Sequence, residues 1–365
     1  MRQKIAVLAA AVLVLSLLAP AAAGSSGSGT ATTTAAEATQ AECEYPLEVT
    51  DATGETITLE EPPESVVALQ PSDARTVFEI GAEDRLVGVP DNPGVADLET
   101  DGIESVTDGY EIQHETVIDL DPDIVLAANT TFDSDIQTLR DAGLTVYQFD
   151  EARSIDDVRE NTNRTGALTG ECAGAAESVQ WMDDRLEIVT ETLEGTDRPL
   201  AYYPMGADGT TPGTDSFIYD VLTTAGVEDL SEAASGTFYP KLSEETIVEE
   251  DPEWIIYPDD SDEPRMPDVA EATSASQSGN LVAVDANQIS QPTPQVIYPL
   301  LEIVGEVHPE AYAEASADMD GANETDDENE TNDGESENED TIPGFGAPVA
   351  VAAALAAVGI LARRR

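Results

Sequence analysis

The chain alternates short aliphatic runs with segments whose apolar residues recur every three or four positions. The runs SVVALQP, RLVGVP, DIVLAAN and LTVYQF are separated by the helical patterns DARTVFEIGAED and IQTLRDAG. Strand-forming runs that alternate with helical patterns are typical of βαβ units and a parallel sheet. A segment that predicts a β-hairpin, YPLEVTDATGETITLEEP, precedes the first of these units.

The second half of the chain follows the same order of elements. It reads PLAYYPM, DSFIYDVLTTAGVED, ETIVEEDPEWIIYP and NLVAVD, and it closes with the helical pattern PQVIYPLLEIVGEV. Between the halves, one apolar stripe recurs at spacings of three and four, which predicts a single helix of about 25 residues and ~37 Å. The stripe consists of Val179, Met182, Leu186, Val189 and Leu193.

Two phrases occur once in each half of the chain. ETVIDLDPDIVL (residues 115–126) returns as ETIVEEDPEWII (245–256), and FEIGAEDRL (78–86) returns as LTTAGVEDL (222–230). Repeated order and spacing predict two related α/β lobes in one chain. The simpler alternative is that α/β folds reuse Asp-Pro turns independently.

The charge of the chain is extreme, with 75 acids against 15 bases and a net charge of -60. Such a surface repels nucleic acid and anionic lipid, so neither is expected as a partner. In molar salt the Debye length falls to about 3 Å, which screens the repulsion among the carboxylates. The composition therefore indicates a protein of a highly saline medium, as expected for a haloarchaeon, with enough apolar residues to build a core.

Both ends of the chain resemble targeting signals. Residues 1–23 have a basic start, an apolar stretch and an Ala-x-Ala end, which indicates a secretory signal peptide. Residues 342–362 are uncharged and would span roughly 31 Å as a helix, with three arginines after them. We therefore expect the body of the protein to lie outside the cell, secreted and anchored to the outer face of the membrane.

The regions between the signals differ in composition. We predict a flexible linker at 24–42, a first lobe at 43–168, a bridging helix at 169–196 and a second lobe at 197–316. An acidic disordered stalk is expected at 317–341, before a sorting segment at 342–365. Asn-x-Thr sequons occur at Asn129, Asn163, Asn323 and Asn329, and those in the stalk are the better candidates for glycosylation.

The two cysteines, Cys43 and Cys172, fit an extracellular location. A secreted protein with two cysteines usually pairs them, and the long loop would contribute about 4–5 kcal/mol in the chain-entropy model. Two free thiols are the alternative.

No Gly-x-Ser-x-Gly, phosphate loop or paired metal-ligand motif is present, so we expect no enzyme. His114 and His308 lie far apart, which disfavours a metal-ion site.

Several segments together resemble the helical-backbone solute-binding proteins of ABC importers, the group that binds vitamin B12 and ferric siderophores. They are ESVVALQPSDARTVFEIGAEDRLVGVP, HETVIDLDPDIVLAAN, GTDSFIYDVLTTAGVEDL and YPKLSEETIVEEDPEWIIYP, within residues 45–312. The resemblance implies two Rossmann-like α/β lobes with parallel-type sheets, bridged by one long helix, with the ligand cleft between them. The sequence PGF (residues 343–345) with its apolar run and arginines resembles the PGF-CTERM signal, which implies cleavage by an archaeosortase and a lipid anchor.

The resemblance also implies partners and roles for residues. In vitamin B12-binding members one glutamate on each lobe docks into arginines of a permease dimer, and the motif places these at Glu115 and Glu245. A two-fold symmetric receptor needs matching surfaces on both lobes. The alternative is that each is a helix N-terminal acid favoured by the helix dipole, worth under ~1 kcal/mol. The other partners implied are the importer's ATPase and a small chelate ligand; no cofactor is expected.

Ligands of open α/β lobes meet the loops at the carboxyl ends of the strands. The residues expected there are Gln70, Ser72, Tyr110, Asn129, Thr130, Tyr203, Met205, Phe238, Tyr239, Asn287 and Gln288. Tyr239 falls where the vitamin B12 binders place a tryptophan, so it is the strongest candidate for ligand contact. A ferric siderophore would call for arginines, and Arg75, Arg153 and Arg265 are available. The residues leave cobalamin and a ferric chelate open, with a metal ion or another solute as the alternative ligand. A cell-surface anchored enzyme and an adhesive or structural protein are the alternative classes.

Overall fold

The computed structural model describes residues 42–234 and 238–326, and for 318–326 the backbone alone. The signal peptide at 1–23, nearly all of the linker at 24–42 and the sorting segment at 342–365 lie outside the described residues. The predicted stalk begins within a helix that continues to Asp326.

The first lobe contains a five-stranded parallel sheet, preceded by an antiparallel hairpin. Its strands are β1 (Leu47–Thr50), β2 (Thr56–Leu59), β3 (Val66–Ala68), β4 (Leu86–Val89), β5 (Glu104–Ser105), β6 (Thr107–Asp108), β7 (Glu111–Ile112), β8 (Ile124–Ala127) and β9 (Val146–Gln148). Its helices are α1 (Pro71–Glu79), α2 (His114–Leu120), α3 (Asp133–Asp141) and α4 (Ile155–Thr169).

A single helix, α5 (Cys172–Leu193), connects this lobe to the second one. The two cysteines form a disulfide that ties the start of α5 to the N-terminal segment of the first lobe. Gly174 allows α5 to approach the end of α1, because a Cβ atom there would lie 1.9 Å from the carbonyl oxygen of Ile80. The predicted bridging helix is therefore present and packs closely on the first lobe.

The second lobe contains a four-stranded parallel sheet. Its strands are β10 (Leu200–Tyr202), β11 (Glu228–Asp229), β12 (Trp254–Pro258) and β13 (Leu281–Val284). Its helices are α6 (Phe217–Thr224), α7 (Glu244–Glu250), α8 (Ser274–Ser278), α9 (Ala286–Ser290), α10 (Ile297–Val307) and α11 (Pro309–Asp326).

The strand order confirms that the two lobes repeat one plan. The first sheet runs β5-β4-β3-β8-β9 and the second runs β11-β10-β12-β13. In each lobe the second strand, β4 or β11, lies on one side of the first, and the last two strands, β8-β9 or β12-β13, lie on the other. The first sheet has one more strand, β5, beyond β4. Each lobe also follows its first helix with a glycine of positive φ, Gly81 at 74° and Gly226 at 89°. The α/β class with parallel sheets, predicted from alternating strand and helix signals, is confirmed.

Both sheets are covered on two faces, which explains their nearly continuous apolar strands. On β3, Val66 and Ala68 pack into one core while Val67 packs into the other. On β12, Ile256 faces one core and Ile255 the opposite one. These layers hold the strands rigidly, so the loops at their carboxyl ends have fixed starting points.

Candidate ligand-binding site

The first wall of the cleft is built by loops that follow β3, β8 and β9. Ser72 begins the wall on the first turn of α1, and Asn129 extends it after β8. Both line one pocket that also contains Phe149 and Asp150, directly after β9. Pro292 of the second lobe lines the same pocket, so it lies where the two lobes meet.

A buried carboxylate fixes the shape of this wall. Asp73 accepts hydrogen bonds from the backbone N–H of Gln70 at 3.1 Å and of Ala128 at 2.9 Å, and so ties α1 to the loop after β8. Burial raises the pKa of Asp73 to about 7, although the two N–H groups favour the ionised form. The group therefore titrates near neutral pH beside the cleft.

The second wall carries three exposed apolar side chains. Phe238 and Tyr239 are 43% and 49% exposed and stack edge to face with their ring centroids 4.7 Å apart. Met205, in the loop after β10, is 42% exposed. Because aromatic rings present a large rigid contact area with one polar end, this wall suits a bulky, partly apolar ligand.

Backbone hydrogen bonds hold the two loops of this wall together. The N–H of Thr211 donates to Pro240 at 3.1 Å, and the N–H of Gly213 donates to Phe238 at 2.8 Å. Lys241 pairs with the carboxylate of Asp208 on the neighbouring loop. The second wall is thus fastened at several points beside its aromatic pair.

Tyr203 does not form part of the exposed wall. Its side chain is 2% exposed and packs in the core of the second lobe, where Thr211 donates to its carbonyl at 2.9 Å. Burial raises the pKa of Tyr203 far above its usual range, with smaller contributions from Asp260 and Tyr239. The sequence places Tyr203 next to a strand end but does not show that the ring points into the core.

Groups from the two walls face each other across the cleft. Burial and, after it, the charge of Glu151 raise the pKa of Tyr239, so the first-lobe loop after β9 lies near the second-lobe aromatic pair. Glu151 accepts a hydrogen bond from Nε of Arg153 at 2.7 Å. The predicted arginine is therefore present at the cleft with its charge neutralised.

The other predicted contact residues differ in their exposure and in their hydrogen-bond partners. Tyr110 is 91% exposed between β6 and β7, and the exposed Thr130 follows Asn129. Gln70 is half-buried, and its amide donates to Thr131 at 3.3 Å. Asn287 and Gln288 lie on α9 after β13, where the carboxylate of Asp285 accepts their backbone N–H groups.

One aromatic residue of the first lobe was missed by the sequence interpretation. Phe132 directly precedes α3, in the loop that follows β8, and is 75% exposed. An aromatic residue three positions beyond Asn129 in a strand-end loop was the available signal. Tyr110 and Phe132 are thus two exposed aromatic residues in loops of the first lobe.

The remaining basic candidates have structural partners. Arg75 is 2% exposed at the contact between the lobes, so it is not available to a ligand in the cleft. Arg265 pairs with Asp260. His114 lies 3.0 Å from Asp135, and His308 lies 3.1 Å from the carbonyl of Gly226, each within a different lobe.

Glu115 and Glu245 occupy the same position in the two lobes. Each is exposed and is the second residue of a seven-residue helix, α2 or α7, that leads into β8 or β12, the strand next to the first strand of its sheet. One apolar residue of each helix is buried two positions later, Val117 in the first lobe and Ile247 in the second. The repeated phrase therefore builds the same surface element twice.

A larger groove of about 510 Å³ lies away from these loops, between α4, α5 and α6. Its lining includes Leu186, Val189 and Leu193 of the bridging helix and none of the exposed aromatic residues. Arg159, also in its lining, is paired with Asp156 and Asp183. The strand-end cleft is the better candidate because it combines exposed aromatic groups with loops from both lobes.

The family model for periplasmic binding proteins matches residues 66–288, which include both sheets and the bridging helix. The chain belongs to the periplasmic binding protein family. Among curated relatives, the cobalamin-binding protein of Halobacterium salinarum is 37% identical over 338 residues, covering 88% of this chain and 89% of that protein. The substrate-binding lipoprotein YvrC of a Bacillus subtilis ABC transporter is 25% identical over 280 residues, covering 74% and 88%.

Solved structures of this family show the same fold. CeuE of Helicobacter pylori with Ni(II) bound has a TM-score of 0.61 at 19% identity, covering 75% of this chain and 94% of that one. The heme-binding protein HmuT has a TM-score of 0.59 at 19% identity, covering 73% and 92%. These likenesses show that the two α/β lobes described above are arranged as in known structures.

The described residues contain neither a clustered metal site nor a helix suited to crossing a membrane. Between residues 42 and 326, with 235–237 left aside, no group of three or more His, Cys, Asp or Glu side chains could hold a metal ion. Over the same part of the chain, no helix has both the length and the apolar character needed to cross a bilayer.

Proposed function

We propose that this protein is the extracellular substrate-binding component of an ABC importer and that its ligand is cobalamin. The carrying observation is 37% identity to a cobalamin-binding protein over 88% of this chain. Exposed aromatic side chains in loops of both lobes support the same ligand. The protein captures the ligand between its lobes and delivers it to the permease. No bond of the ligand is made or broken.

The shape and chemistry of the walls support a corrinoid. A corrin ring is a broad, flat macrocycle rimmed by neutral amides, and exposed aromatic rings bind such a surface through apolar contact with a polar end. Phe238 and Tyr239 on one lobe and Tyr110 and Phe132 on the other offer such contacts. Asn129 and the half-buried Gln288 add amide groups that can hydrogen-bond to the amide rim.

A ferric siderophore is the alternative ligand, and the charge of the cleft loops disfavours its anionic forms. The basic side chains in these loops that the structure describes are each paired with an acid, as Arg153 is with Glu151 and Lys241 is with Asp208. An anionic chelate would have to displace these partners. A neutral amide-rimmed ligand would leave them in place.

Isothermal titration calorimetry in molar KCl, with cobalamin and with a ferric siderophore in separate runs, tests the ligand. Saturable binding of one cobalamin per chain, with little heat from the siderophore, supports the proposal. Binding of the siderophore alone would reassign the ligand, and binding of neither by a folded protein would remove the chelate class. Tryptophan fluorescence is a less direct probe, because Trp181 is only 7% exposed in the second-lobe core.

We also propose that Glu115 and Glu245 dock the two lobes onto a two-fold symmetric permease whose ATPase drives import. The support is their equal placement on α2 and α7, each exposed in the first turn of its helix. Two matching carboxylates fit two symmetry-related basic patches and set the register of the complex.

The mature protein is proposed to remain on the outer face of the cell membrane. A signal peptide at 1–23 would direct export, and an archaeosortase would remove the segment that begins near the PGF motif at 343–345 and attach a lipid. Intact-mass spectrometry of the protein from its native membrane tests both steps. A mass that retains residues 1–23 or 346–365 would contradict the corresponding cleavage.

A further inference from the structure

A buried arginine joins the two lobes beside the cleft. Arg75, on α1 of the first lobe, donates from one terminal nitrogen to Oε1 of Gln295 in the second lobe at 2.7 Å. Its other terminal nitrogen donates to the carbonyl of Gly94 at 2.6 Å, and both terminal nitrogens contact the carboxylate of Asp97 within 3.0 Å. The guanidinium therefore binds its own lobe and the opposite lobe at the same time.

A second group on the same face of α1 lies against the same segment. Glu79, one helical turn after Arg75, is fully buried, and its carboxyl lies beside the Thr293 hydroxyl and the Gln295 backbone N–H, although neither oxygen completes a hydrogen bond of ordinary geometry. Burial raises the pKa of Glu79 well above its usual range, against the opposing effect of Arg75. The Ser178 hydroxyl of the bridging helix donates to the Glu79 carbonyl at 2.8 Å.

The backbone approaches closely at this contact as well. The side-chain amide of Gln291 donates to the carbonyl of Gly94 at 3.4 Å, and a Cβ atom on Gly94 would lie 2.9 Å from that amide nitrogen. Residues 291–295 of the second lobe thus lie against α1 and the loop after β4. We refer to residues 291–295 as the clasp segment.

A buried guanidinium tolerates little displacement. Removing a charged group from water costs several kcal/mol unless its donors are satisfied, so a small shift between the lobes that breaks one bond is penalised strongly. Arg75 lies between Ser72 and Thr76 on α1, and these two line the cleft pocket together with Pro292 of the clasp segment. The contact and the pocket therefore share the same helix and the same segment, and a shift in one moves the other.

We propose that Arg75 and Gln295 are positioning residues that hold the two lobes at a fixed separation, so that the cleft is preformed before the ligand enters. Neither residue contacts the ligand. They act through the clasp segment on the distance between the aromatic walls. Because cobalamin serves as the probe of affinity, that part of the inference rests on the proposed function.

The test compares substitutions of Gln295 in the full-length protein in molar KCl. Gln295→Leu removes the acceptor for Arg75 while keeping a similar volume, and Gln295→Glu retains an acceptor oxygen. Spin labels on Gln137→Cys in α3 and Glu249→Cys in α7, both exposed, report the distance between the lobes by pulsed electron paramagnetic resonance. Calorimetry reports the affinity for cobalamin, and thermal unfolding reports stability.

Without Gln295 substitutions, the labelled protein is expected to show one narrow distance that does not change when cobalamin is added. Gln295→Leu is expected to broaden the distance distribution and weaken cobalamin binding about tenfold or more, and Gln295→Glu to restore both. The matched control is Arg140→Gln, which removes an ion pair with Asp51 inside the first lobe. It should lower the melting temperature without changing the distance or the affinity.

The inference is overturned if Gln295→Leu leaves the distance distribution narrow, or if the parent protein shows a broad distribution that narrows only with ligand. If the parent protein does not bind cobalamin, the proposed ligand is wrong, and the distance distributions alone still decide whether the contact fixes the lobes.

Discussion

Asp121 and Asp251 end equivalent helices in the two lobes with the same left-handed backbone, at φ angles of 46° and 48°. Each is followed by a buried proline, which cannot continue the helix, and then by a strand, β8 in the first lobe and β12 in the second. Aspartate adopts this conformation more readily than most other residues with a Cβ atom. The Asp-Pro turn therefore redirects the chain from a partly exposed helix, α2 or α7, into the strand that follows it, once in each lobe.

Substitution of these aspartates by a β-branched residue tests the role of the turn. Asp121→Val and Asp251→Val are each expected to lower the free energy of unfolding by about 1–3 kcal/mol, because a β-branched residue is strained at positive φ. The loss should be larger at Asp251, whose carboxylate also accepts hydrogen bonds from the N–H and hydroxyl of Ser274 at 2.6 and 2.7 Å. Urea unfolding in molar KCl measures both, and equal losses would show that the Ser274 contacts contribute little.

The proposed docking carboxylates can be separated from ligand binding. Glu115→Gln with Glu245→Gln is expected to reduce cobalamin uptake and the stimulation of the importer's ATPase severalfold, while the calorimetric affinity stays unchanged. Each single variant should give a partial loss, since the lobes contact equivalent halves of the permease. The matched control is Glu249→Gln, a neighbouring exposed position on α7. An equal effect of the control would point to general surface charge rather than docking.

The fold was largely predictable because each signal was local. Strands buried on both faces are continuous apolar runs, and the two Asp-Pro phrases occur at corresponding places in the chain, so the repeated lobes could be inferred without contacts. For the walls of the cleft, the sequence predicts which loops take part but not which of their side chains are exposed. That Tyr203 turns into the core while Phe132 turns outward depends on packing around each loop, which the sequence does not record.

Arg75 shows the same limit more clearly. The sequence offers it as one of three arginines available to an anionic ferric chelate. Its partners, Asp97 and Gln295, are 22 and 220 residues away, and only the contact between the lobes brings them together. Pairings at such separations follow from tertiary structure, so a sequence can supply the residue type but not its role.

The aromatic walls should carry much of the affinity. Tyr239→Ala and Phe132→Ala are each expected to weaken cobalamin binding about tenfold or more, since each removes a large exposed ring from the proposed contact surface. Val248→Ala removes an exposed apolar side chain from α7, away from the strand-end loops, and should leave affinity unchanged. An unchanged affinity for Phe132→Ala alone would confine the ligand to the second wall.

The disulfide should contribute strongly to stability, because it joins residues 129 apart in sequence. In the chain-entropy model, closing a loop of this length removes freedom from the unfolded chain worth about 4–5 kcal/mol. Cys43→Ser with Cys172→Ser is therefore expected to reduce the free energy of unfolding by that order while leaving the fold and ligand affinity intact. Comparison of urea midpoints and slopes for the two proteins measures the loss, and a loss under ~1 kcal/mol would contradict the entropic account.

Asp73 should make stability fall as pH rises through neutrality. Its folded pKa of about 7 lies above the ordinary value of 3.8, so the folded protein holds this proton more tightly than the unfolded chain does. The stabilising contribution of this proton to the free energy of unfolding is complete below pH 3.8 and is lost as pH rises through about 7. The shift in pKa corresponds to a loss on the order of 4 kcal/mol. Asp73→Asn keeps an acceptor oxygen for the N–H groups of Gln70 and Ala128 but removes the titration.

The measurement is urea unfolding of the parent protein and of Asp73→Asn between pH 4 and 8 in molar KCl. The free energy of unfolding of the parent protein relative to the variant is expected to decline by a few kcal/mol across this range. Asp51→Asn is the control, because the pKa of Asp51 is shifted in the opposite direction. Burial is the largest single effect and raises this pKa, but hydrogen bonds together outweigh it and hold the pKa below its usual value. The donors are Thr53, Gln148, Glu55 and Arg140. Its stabilising contribution is therefore lost only as the medium becomes acidic, below the range in which Asp73 titrates. If the difference in free energy of unfolding between the parent protein and Asp73→Asn stays constant from pH 4 to 8, the carboxyl of Asp73 is ionised throughout this range. The two backbone N–H groups would then outweigh the cost of its burial.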